Sequence, residues 1–253
     1  LTETLADLAR SNLELERFAE VASHDLQEPL RKISAFGNRL ASRSADDLPE
    51  ESRADLDRMV GSARRLQVLI NDLLAYARIG RRSQRFTAVD LNEIVSATLD
   101  DLRSSMDAAG AEVDVADLPR IEGDRSELQQ LFRHLLSNAV KFRRDGATPR
   151  IRVYARSGQV EPAADLPDAL RRDGALEIFV EDNGVGFDEK YRDRIFKVFQ
   201  RLHGRASYSG TGIGLAICQR VANRHGGAVD ARSCPGKGST FVVRLPADRV
   251  INT

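Results

Sequence analysis

Apolar residues recur in alternating steps of four and three over much of the first 80 residues. One run comprises Leu15, Ala19, Ala22, Leu26, Pro29, Ile33, Phe36 and Leu40, and the other comprises Leu56, Met59, Ala63, Leu66, Ile70, Leu73 and Ala77. This spacing places the apolar side chains in one stripe along an α-helix, a seam for packing against another helix. The pattern therefore predicts an all-α hairpin of two long helices over residues 1–80.

Two helices alone bury both seams poorly. A second copy of the hairpin would complete a four-helix bundle, so we predict a homodimer. Leu1, Leu5 and Leu8 continue a similar spacing upstream. We interpret residues 1–14 as a coiled-coil lead-in from a missing N-terminal domain, although a plain amphipathic helix fits so short a run equally well.

The pattern changes after an arginine-rich linker at residues 81–87. Helix-like stretches (VDLNEIVSATLDDLRSSMDAAG, DRSELQQLFRHLLSNAVKF and GIGLAICQRVANRHGG) alternate with strand-like ones (RIRVYAR, ALEIFVED and STFVVRLP). The first helix has a capping residue in Asp90 and a terminal glycine in Gly110. The alternation predicts an α/β or α+β sandwich over residues 88–253, with a long polar loop at 157–175.

Charge and cysteine usage limit the possible functions. Lys+Arg and Asp+Glu both number 38, and such a balance gives no reason to expect nucleic acid as a partner. No apolar run approaches the ~18 residues of a membrane span, so we expect no direct membrane contact. The two cysteines show no pairing or metal-binding pattern, which favours reduced thiols in a cytoplasmic protein.

The stretch VASHDLQEPLRKI holds a histidine and a proline within one predicted helix. We predict that His24 points away from the seam and that Asp25 orients its ring, because a neutral, oriented imidazole is a reasonable nucleophile. Pro29 lacks the N–H group that would bond the carbonyl of Asp25, so we predict a hinge beside the histidine. A solvated histidine and a tolerated kink remain open alternatives.

Three glycine-rich motifs, EDNGVGF, GTGIGLA and GKGSTF, indicate a nucleotide site. Glycine lets the backbone approach a ligand closely, and a glycine run that opens a helix offers free N–H groups to phosphate. The order of the motifs fits neither a Rossmann unit nor a P-loop. Asn138 is a plausible Mg²⁺ ligand, and Lys141, one turn later, is placed to offset phosphate charge. Each of these two residues alone fits an ordinary helix surface.

These motifs together resemble sensor histidine kinases of two-component systems. SHDLQEPLRKI resembles their phosphoacceptor box, LLSNAVKF their asparagine box, EDNGVGF and GTGIGLAI their glycine boxes, and IFKVFQRLHGR their phenylalanine box and the start of the ATP lid. The HDLQEPLR wording is most similar to phytochrome-type kinases. The boxes follow the family order and cover nearly the whole chain.

The resemblance implies a dimerisation and histidine-phosphotransfer hairpin followed by a Bergerat-type catalytic ATP-binding domain. ATP and Mg²⁺ would be the cofactors, and a response-regulator receiver domain and a missing N-terminal sensor domain would be the partners. His24 would attack the γ-phosphate, and Asp25 would act as its base or orienter. The residues implied around the nucleotide are Asn138 (on Mg²⁺), Lys141, Asp182, Gly184, Gly186, Phe196, Phe199, Gly210, Thr211, Gly212, Gly214 and Leu215.

Two positions depart from the family pattern. His134 stands where the family often has a second asparagine, four residues before the Mg²⁺ ligand. Glu28 stands four residues after His24, where kinases that also act as phosphatases commonly have Thr or Asn. We therefore predict a kinase with weak phosphatase activity. The alternatives are a chaperone-type or mismatch-repair-type ATPase, which would lack the hairpin, and a non-catalytic dimeric scaffold that binds nucleotide.

Overall fold

The structure is a computed structural model that describes residues 25–43, 49–80, 86–158, 170, 174–202, 208 and 210–251. The chain divides between Arg78 and Ile79 into two compact units. Unit 1 is residues 1–78 and unit 2 is residues 79–253. No helix among the described residues is both long and apolar enough to span a bilayer. The lead-in at 1–14 and most of the predicted loop at 157–175 lie outside the described ranges.

Unit 1 contains the predicted helical hairpin. Helix α1 covers residues 25–43, and helix α2 is Glu50–Arg78. Acidic residues occupy the first turn of α2 and Arg78 its last turn, which complements the helix dipole at both ends. The predicted hairpin is therefore confirmed. The described part of α1 continues through Pro29, and the hinge predicted there stays a prediction.

The contact between α1 and α2 depends on a glycine. Gly37 is buried, and a methyl group placed on it would overlap the side chain of Val60. Leu56, Val60 and Ala63 are the buried apolar residues of α2. Because Gly37 has no side chain, α1 lies close against this face of α2. Gln27 Nε2 also donates a hydrogen bond of 2.7 Å to Asn71 Oδ1 across the hairpin.

The apolar seam predicted on α1 is not the surface that packs within the chain. Its members Leu26, Ile33, Phe36 and Leu40 have 41–60% of their surface exposed. On α2 the seam is divided, because Leu56 and Ala63 are buried whereas Met59, Leu66 and Leu73 are 45–53% exposed. The hairpin thus leaves a row of large apolar side chains uncovered on both helices.

Unit 2 is built from two sheets and a layer of helices. In chain order its strands are β1 (Thr87–Asp90), β2 (Glu112–Val115), β3 (Arg120–Gly123), β4 (Arg150–Gly158), β5 (Ala175–Asp182), β6 (Ala228–Cys234), β7 (Gly238–Pro246) and β8 (Val250–Ile251). Strands β1-β3-β8 form a small antiparallel sheet, and the main sheet has the order β2-β4-β5-β7-β6. Only the β2–β4 pair of the main sheet is parallel.

Among the described residues of unit 2, three α-helices form the second layer: α3 (Leu91–Ala109), α4 (Arg125–Lys141) and α5 (Gly214–Arg224). Asp90 caps α3 by accepting a hydrogen bond from the N–H of Asn92, and Gly110 ends it in a left-handed conformation, so both predicted ends of this helix are confirmed. Helix α4 packs between α3 and α5. The expected α/β sandwich is therefore present.

Contacts along α4 and α5 show that the two helices run antiparallel. The start of α5 meets His134, its middle meets Leu131 through Cys218 Sγ, and its end at Arg224 forms ion pairs with Asp124 and Glu127. The carboxyl end of α4 therefore lies beside the amino end of α5. This arrangement brings the asparagine motif close to the second glycine motif.

A buried histidine fixes the opposite end of the helix pair. His225 Nε2 accepts the N–H of Asp124 at 3.1 Å, and Nδ1 lies 2.8 Å from the carbonyl oxygen of Val221. Since Nε2 accepts, Nδ1 carries the proton and donates. Burial lowers the pKa of His225, so the ring is the neutral tautomer that links α5 to the start of α4.

Five of these strands, β1, β2, β3, β6 and β8, were not predicted from the sequence. Strands β1, β2, β3 and β8 have two to four residues each, too few for alternation to be recognised. Strand β6 (AVDARSC) is interrupted by two charged residues, Asp230 and Arg232. Asp230 is paired with arginines from elsewhere in the fold, and this pairing is not visible in the sequence.

Candidate active site

Asp182, the last residue of β5, is half-buried. Its Oδ1 accepts hydrogen bonds from the N–H groups of Gly184 (2.8 Å) and Ser239 (3.2 Å). Burial raises the pKa of Asp182 to about 6, although these two hydrogen bonds act in the opposite direction. Within the described part of the chain, Oδ2 accepts no hydrogen bond. The pocket therefore presents one free carboxylate oxygen, an acceptor that suits an amino-group donor.

The first glycine motif permits close backbone contacts around Asp182. A methyl group on Gly184 would overlap the carbonyl oxygen of Phe142, and one on Gly186 would overlap that of Cys234. Gly186 also has a left-handed backbone with φ of 63°. The N–H of Val185 donates to the Phe142 carbonyl at 2.9 Å. The loop after β5 is thus joined to the end of α4, where the other candidate residues lie.

Lys141, in the last turn of α4, points at the second glycine motif. Its Nζ lies 2.8 Å from where a methyl group on Gly210 would be, and 4.1 Å from the centroid of the Phe142 ring. Burial, followed by the positive charge of Arg201, lowers the pKa of Lys141 to about 8. An ammonium group held in this way gains stability when an anion arrives beside it.

Arg201 is a candidate residue that sequence reasoning missed. Its guanidinium donates to the carbonyl oxygens of Gly210 (2.9 Å) and Tyr208 (2.6 Å). The Tyr208 ring in turn lies 5.0 Å from the ring of Phe142. Arg201 thus fixes the glycine motif near Lys141 and adds a second positive charge. It stands inside the IFKVFQRLHGR motif, but nothing in the sequence separates it from the other arginines.

The N-terminus of α5 is suited to bind an anion. Ile213 occupies the capping position and forms no side-chain hydrogen bond there, so the first N–H groups of the helix have no side-chain cap. Gly212 has φ of 76° and Gly210 has φ of 149°. Thr211 Oγ1 lies 3.4 Å from the N–H of Ile213. Leu215 is half-buried in the first turn.

Asn138 lies on α4 one turn before Lys141 and one turn after His134, and residues at this spacing share a helix face. It is half-buried. The Nδ1 atom of His134 lies 2.9 Å from a methyl group placed on Gly214. No group of three or more metal-ligating side chains occurs among the described residues. This donor set fits Mg²⁺, which is commonly held by one or two protein oxygens together with substrate phosphates and water.

The two phenylalanines expected to anchor the lid differ in their surroundings. Phe196 is buried beside Ile195. Phe199 is 59% exposed, and its φ of 64° is the one positive value found at a non-glycine residue in the described chain. Burial therefore does not hold the Phe199 side chain, and the expectation that Phe199 helps to anchor the lid stays a prediction. Its left-handed turn instead brings its backbone close to Gly212.

The predicted phosphoacceptor His24 lies outside the described residues. Asp25 is the first described residue of α1, and it is exposed. Glu28, one turn further, forms an exposed ion pair of 2.6 Å with Lys32. In unit 1 the structure therefore describes Asp25 and the residues after it, whereas the candidates implied around the nucleotide all lie in unit 2.

Two family models match the chain. The model of the histidine kinase-, DNA gyrase B- and HSP90-like ATPase matches residues 123–249, and that of the His Kinase A (phospho-acceptor) domain matches residues 14–82. The first range contains Asp182 and the glycine motifs, and the second contains His24. The first match lies within unit 2, and the second spans most of unit 1.

Known proteins resemble the chain over nearly all of its length. The phytochrome-like protein Cph1 of Synechocystis sp. is 36% identical over 97% of the chain, and cyanobacterial phytochrome A of Nostoc sp. is also 36% identical over 97%. The chain spans only about 30% of the length of these relatives. The structure of full-length ShkA in complex with AMPPNP is similar, with a TM-score of 0.63 and 26% identity over 91% of this chain and 45% of that one. The two matched domains, their order and these relatives show that the chain belongs to the sensor histidine kinases and contains the catalytic core of that family.

Proposed function

We propose that unit 2 binds ATP with Mg²⁺ and that the chain transfers the γ-phosphoryl group to His24. In this proposal the free Oδ2 of Asp182 accepts a hydrogen bond from the adenine amino group. Lys141, Arg201 and the N-terminus of α5 surround the phosphates, and Asn138 provides an oxygen to the metal. Bound ATP would supply the phosphoryl group, and Mg²⁺ would offset the phosphate charge.

At His24 a neutral ring nitrogen attacks the γ-phosphorus. A nitrogen–phosphorus bond forms, the bond from phosphorus to the bridging oxygen breaks, and ADP leaves with that electron pair. Asp25 orients the ring and takes the proton from its second nitrogen. Little covalent chemistry is required of the protein, so the rate depends mainly on positioning and charge stabilisation.

Unit 1 functions in this proposal as half of a homodimer. The uncovered seam on α1 and α2 supports it, because large apolar side chains in a continuous row favour burial against another helix pair. A second hairpin offers the same row and would complete a four-helix bundle. Each buried Leu or Phe would contribute roughly 1.5–3 kcal/mol.

The phosphoryl group then passes to an aspartate on the receiver domain of a response regulator. In this proposal Glu28 makes the phosphatase activity toward the regulator weak, because its carboxylate repels an acyl phosphate and is already paired with Lys32. Phosphate bound to a cognate regulator should therefore be lost slowly when this protein is added. Rapid loss would contradict this part of the proposal.

One observation carries the proposal: the half-buried acceptor Asp182 and the cationic end of α4 are joined through Phe142 in a single domain. The test is incubation of the chain with γ-labelled ATP and Mg²⁺, followed by acid and alkali treatment and peptide mapping. Label that survives alkali, is lost in acid and maps to the peptide containing His24 is the expected result. ATP binding without any label would instead favour the nucleotide-binding scaffold.

A further inference from the structure

The segment from residue 187 to residue 202, called here the lid base, connects the two nucleotide-binding loops. It begins directly after Gly186, and near its end Arg201 donates to the carbonyl oxygen of Gly210. Its regular structure is limited to a short 3₁₀ turn, Glu189–Tyr191. Its backbone hydrogen bonds run mainly between residues three or four apart. A segment of this kind needs side-chain contacts to hold its position.

Two hydrogen-bonded contacts attach the lid base to the sheet among the described residues, and both reach β6. The N–H of Phe187 donates to Ser233 Oγ at 2.8 Å. Arg192 forms a bidentate pair with Asp230, with Nε–Oδ1 at 2.7 Å and Nη2–Oδ2 at 2.5 Å. Bidentate arginine–carboxylate pairs fix orientation as well as distance.

Asp230 is a rigid partner for Arg192. Its Oδ1 also accepts the N–H of Ala231 at 2.7 Å, and its Oδ2 lies 3.2 Å from Arg244 Nη1. Arg244 is buried and donates to Glu177 Oε1 at 2.8 Å. Burial acts to raise the pKa of Asp230, but the hydrogen bonds it accepts lower it. The carboxylate is therefore ionised and held in place.

The network extends from the lid base across three strands. Asp230 lies on β6, Arg244 on β7 and Glu177 on β5, the strand that ends at Asp182. It therefore connects the segment before Arg201 to the strand that carries the adenine-side carboxylate. The Asp182 pocket itself includes no member of this network.

We propose that Arg192 is a positioning residue for the triphosphate: held on Asp230, it fixes the lid base so that Arg201 stands beside Lys141. The inference rests on the proposed function and adds a residue to it. Arg192 acts on the phosphate side of the site alone. Adenine recognition at Asp182 does not depend on it.

The test compares Arg192→Ala with Lys190→Ala in the full chain. Lys190 lies two residues earlier in the lid base, and its ion pair with Asp188 is exposed at both partners. We expect Arg192→Ala to weaken ATP binding about 10-fold while adenosine binding changes less than 2-fold, with each affinity measured by competition against a fluorescent nucleotide. Arg192→Lys, which keeps the charge without the bidentate geometry, should be intermediate. Lys190→Ala should change neither affinity.

Hydrogen exchange and thermal unfolding complete the experiment. Amides of residues 187–202 should exchange faster in Arg192→Ala than in Lys190→Ala, at an unchanged unfolding temperature. If Arg192→Ala leaves the ratio of ATP affinity to adenosine affinity as it is in the unmodified chain, the inference is overturned while the proposed function stays intact. Failure of the wild-type chain to bind ATP would overturn both.

Discussion

Unit 1 and unit 2 differ in how far their apolar side chains are buried within one chain. Unit 2 buries its apolar residues between a helix layer and a five-stranded sheet. The described residues of unit 1 form two helices and leave Phe36, Leu40 and Leu66 substantially exposed. This difference supports the proposal that nucleotide binds within unit 2 of one chain and that a second copy completes the hairpin of unit 1.

The largest effect is expected from Asp182→Asn, which tests whether unit 2 is complete. Either orientation of the amide places its NH₂ group against another donor, the Gly184 N–H or the adenine amino group. Losing a charged hydrogen bond costs about 1.5–3 kcal/mol, so ATP affinity should fall ~10- to 100-fold. Calorimetry measures the ATP affinity. The control is Asp188→Asn, because Asp188 is more exposed than Asp182. Unchanged affinity would mean that adenine binds elsewhere.

A matched pair of substitutions on α2 tests whether unit 1 is incomplete. Leu66 is 47% exposed on the seam, and Val68 is 50% exposed off it. Leu66→Glu introduces a charge into the proposed bundle twice per dimer, so we expect the dimer to dissociate at least about 10-fold more readily. Val68→Glu should leave the dimer intact. Sedimentation velocity measures the fraction of dimer in each variant. If both variants dissociate to the same extent, the dimer interface lies elsewhere.

ATP affinity should depend on pH on both sides of a plateau. The pKa of Asp182 is about 6, so below pH 6 the carboxylate becomes protonated and adenine loses its acceptor. The pKa of Lys141 is about 8, so above pH 8 the amine becomes neutral and phosphate loses a positive charge. Each limb should approach a 10-fold change per pH unit, as measured by titration calorimetry.

Single variants assign the two limbs of this profile. Asp182→Asn should flatten the acid limb, and Lys141→Met should flatten the alkaline limb. A profile that is level from pH 5 to pH 9 in the unmodified chain would contradict both assignments. It would also remove the main electrostatic distinction between the two ends of the pocket.

The smallest effects are expected at two helical glycines of unit 1. Alanine is favoured over glycine in a helix by ~1 kcal/mol. At Gly61 an added methyl group would meet only the end of the Arg65 side chain, so Gly61→Ala should raise the free energy of unfolding by about that amount. At Gly37 an added methyl group would overlap Val60, and overpacking costs about 1–3 kcal/mol. Gly37→Ala should therefore lower the free energy of unfolding. Denaturant unfolding measures whether the free energy of unfolding rises or falls in each variant. ATP affinity should not change in either one.

Periodicity and glycine motifs were sufficient to predict the hairpin, the main helices and the nucleotide side of unit 2. They did not identify β6, because Asp230 interrupts its apolar pattern and is stabilised by Arg192 and Arg244, which are distant in sequence. The same limit applies to Arg201, whose guanidinium donates to the carbonyl oxygen of Gly210, a contact that no local pattern predicts. Contacts between residues far apart in sequence decided these cases, and a local pattern does not contain them.

The seam of α1 shows a different limit. Its spacing correctly predicted a helix, but the sequence did not reveal which stripe packs within the chain. Gly37 decides that, because a missing side chain permits the close approach of α2. The apolar residues were consequently left on the outer surface, where the proposed second copy would cover them.

The assignment of nucleotide binding to unit 2 and of phosphoryl acceptance to unit 1 is tested most directly by measuring ATP binding and phosphorylation on the same samples of His24→Gln and Asp182→Asn. We expect His24→Gln to bind ATP as the unmodified chain does but to take up no acid-labile label. We expect Asp182→Asn to bind ATP weakly and to be labelled weakly. Label that persists in His24→Gln would show that the phosphoryl group goes to another residue and would contradict the assignment of the two units.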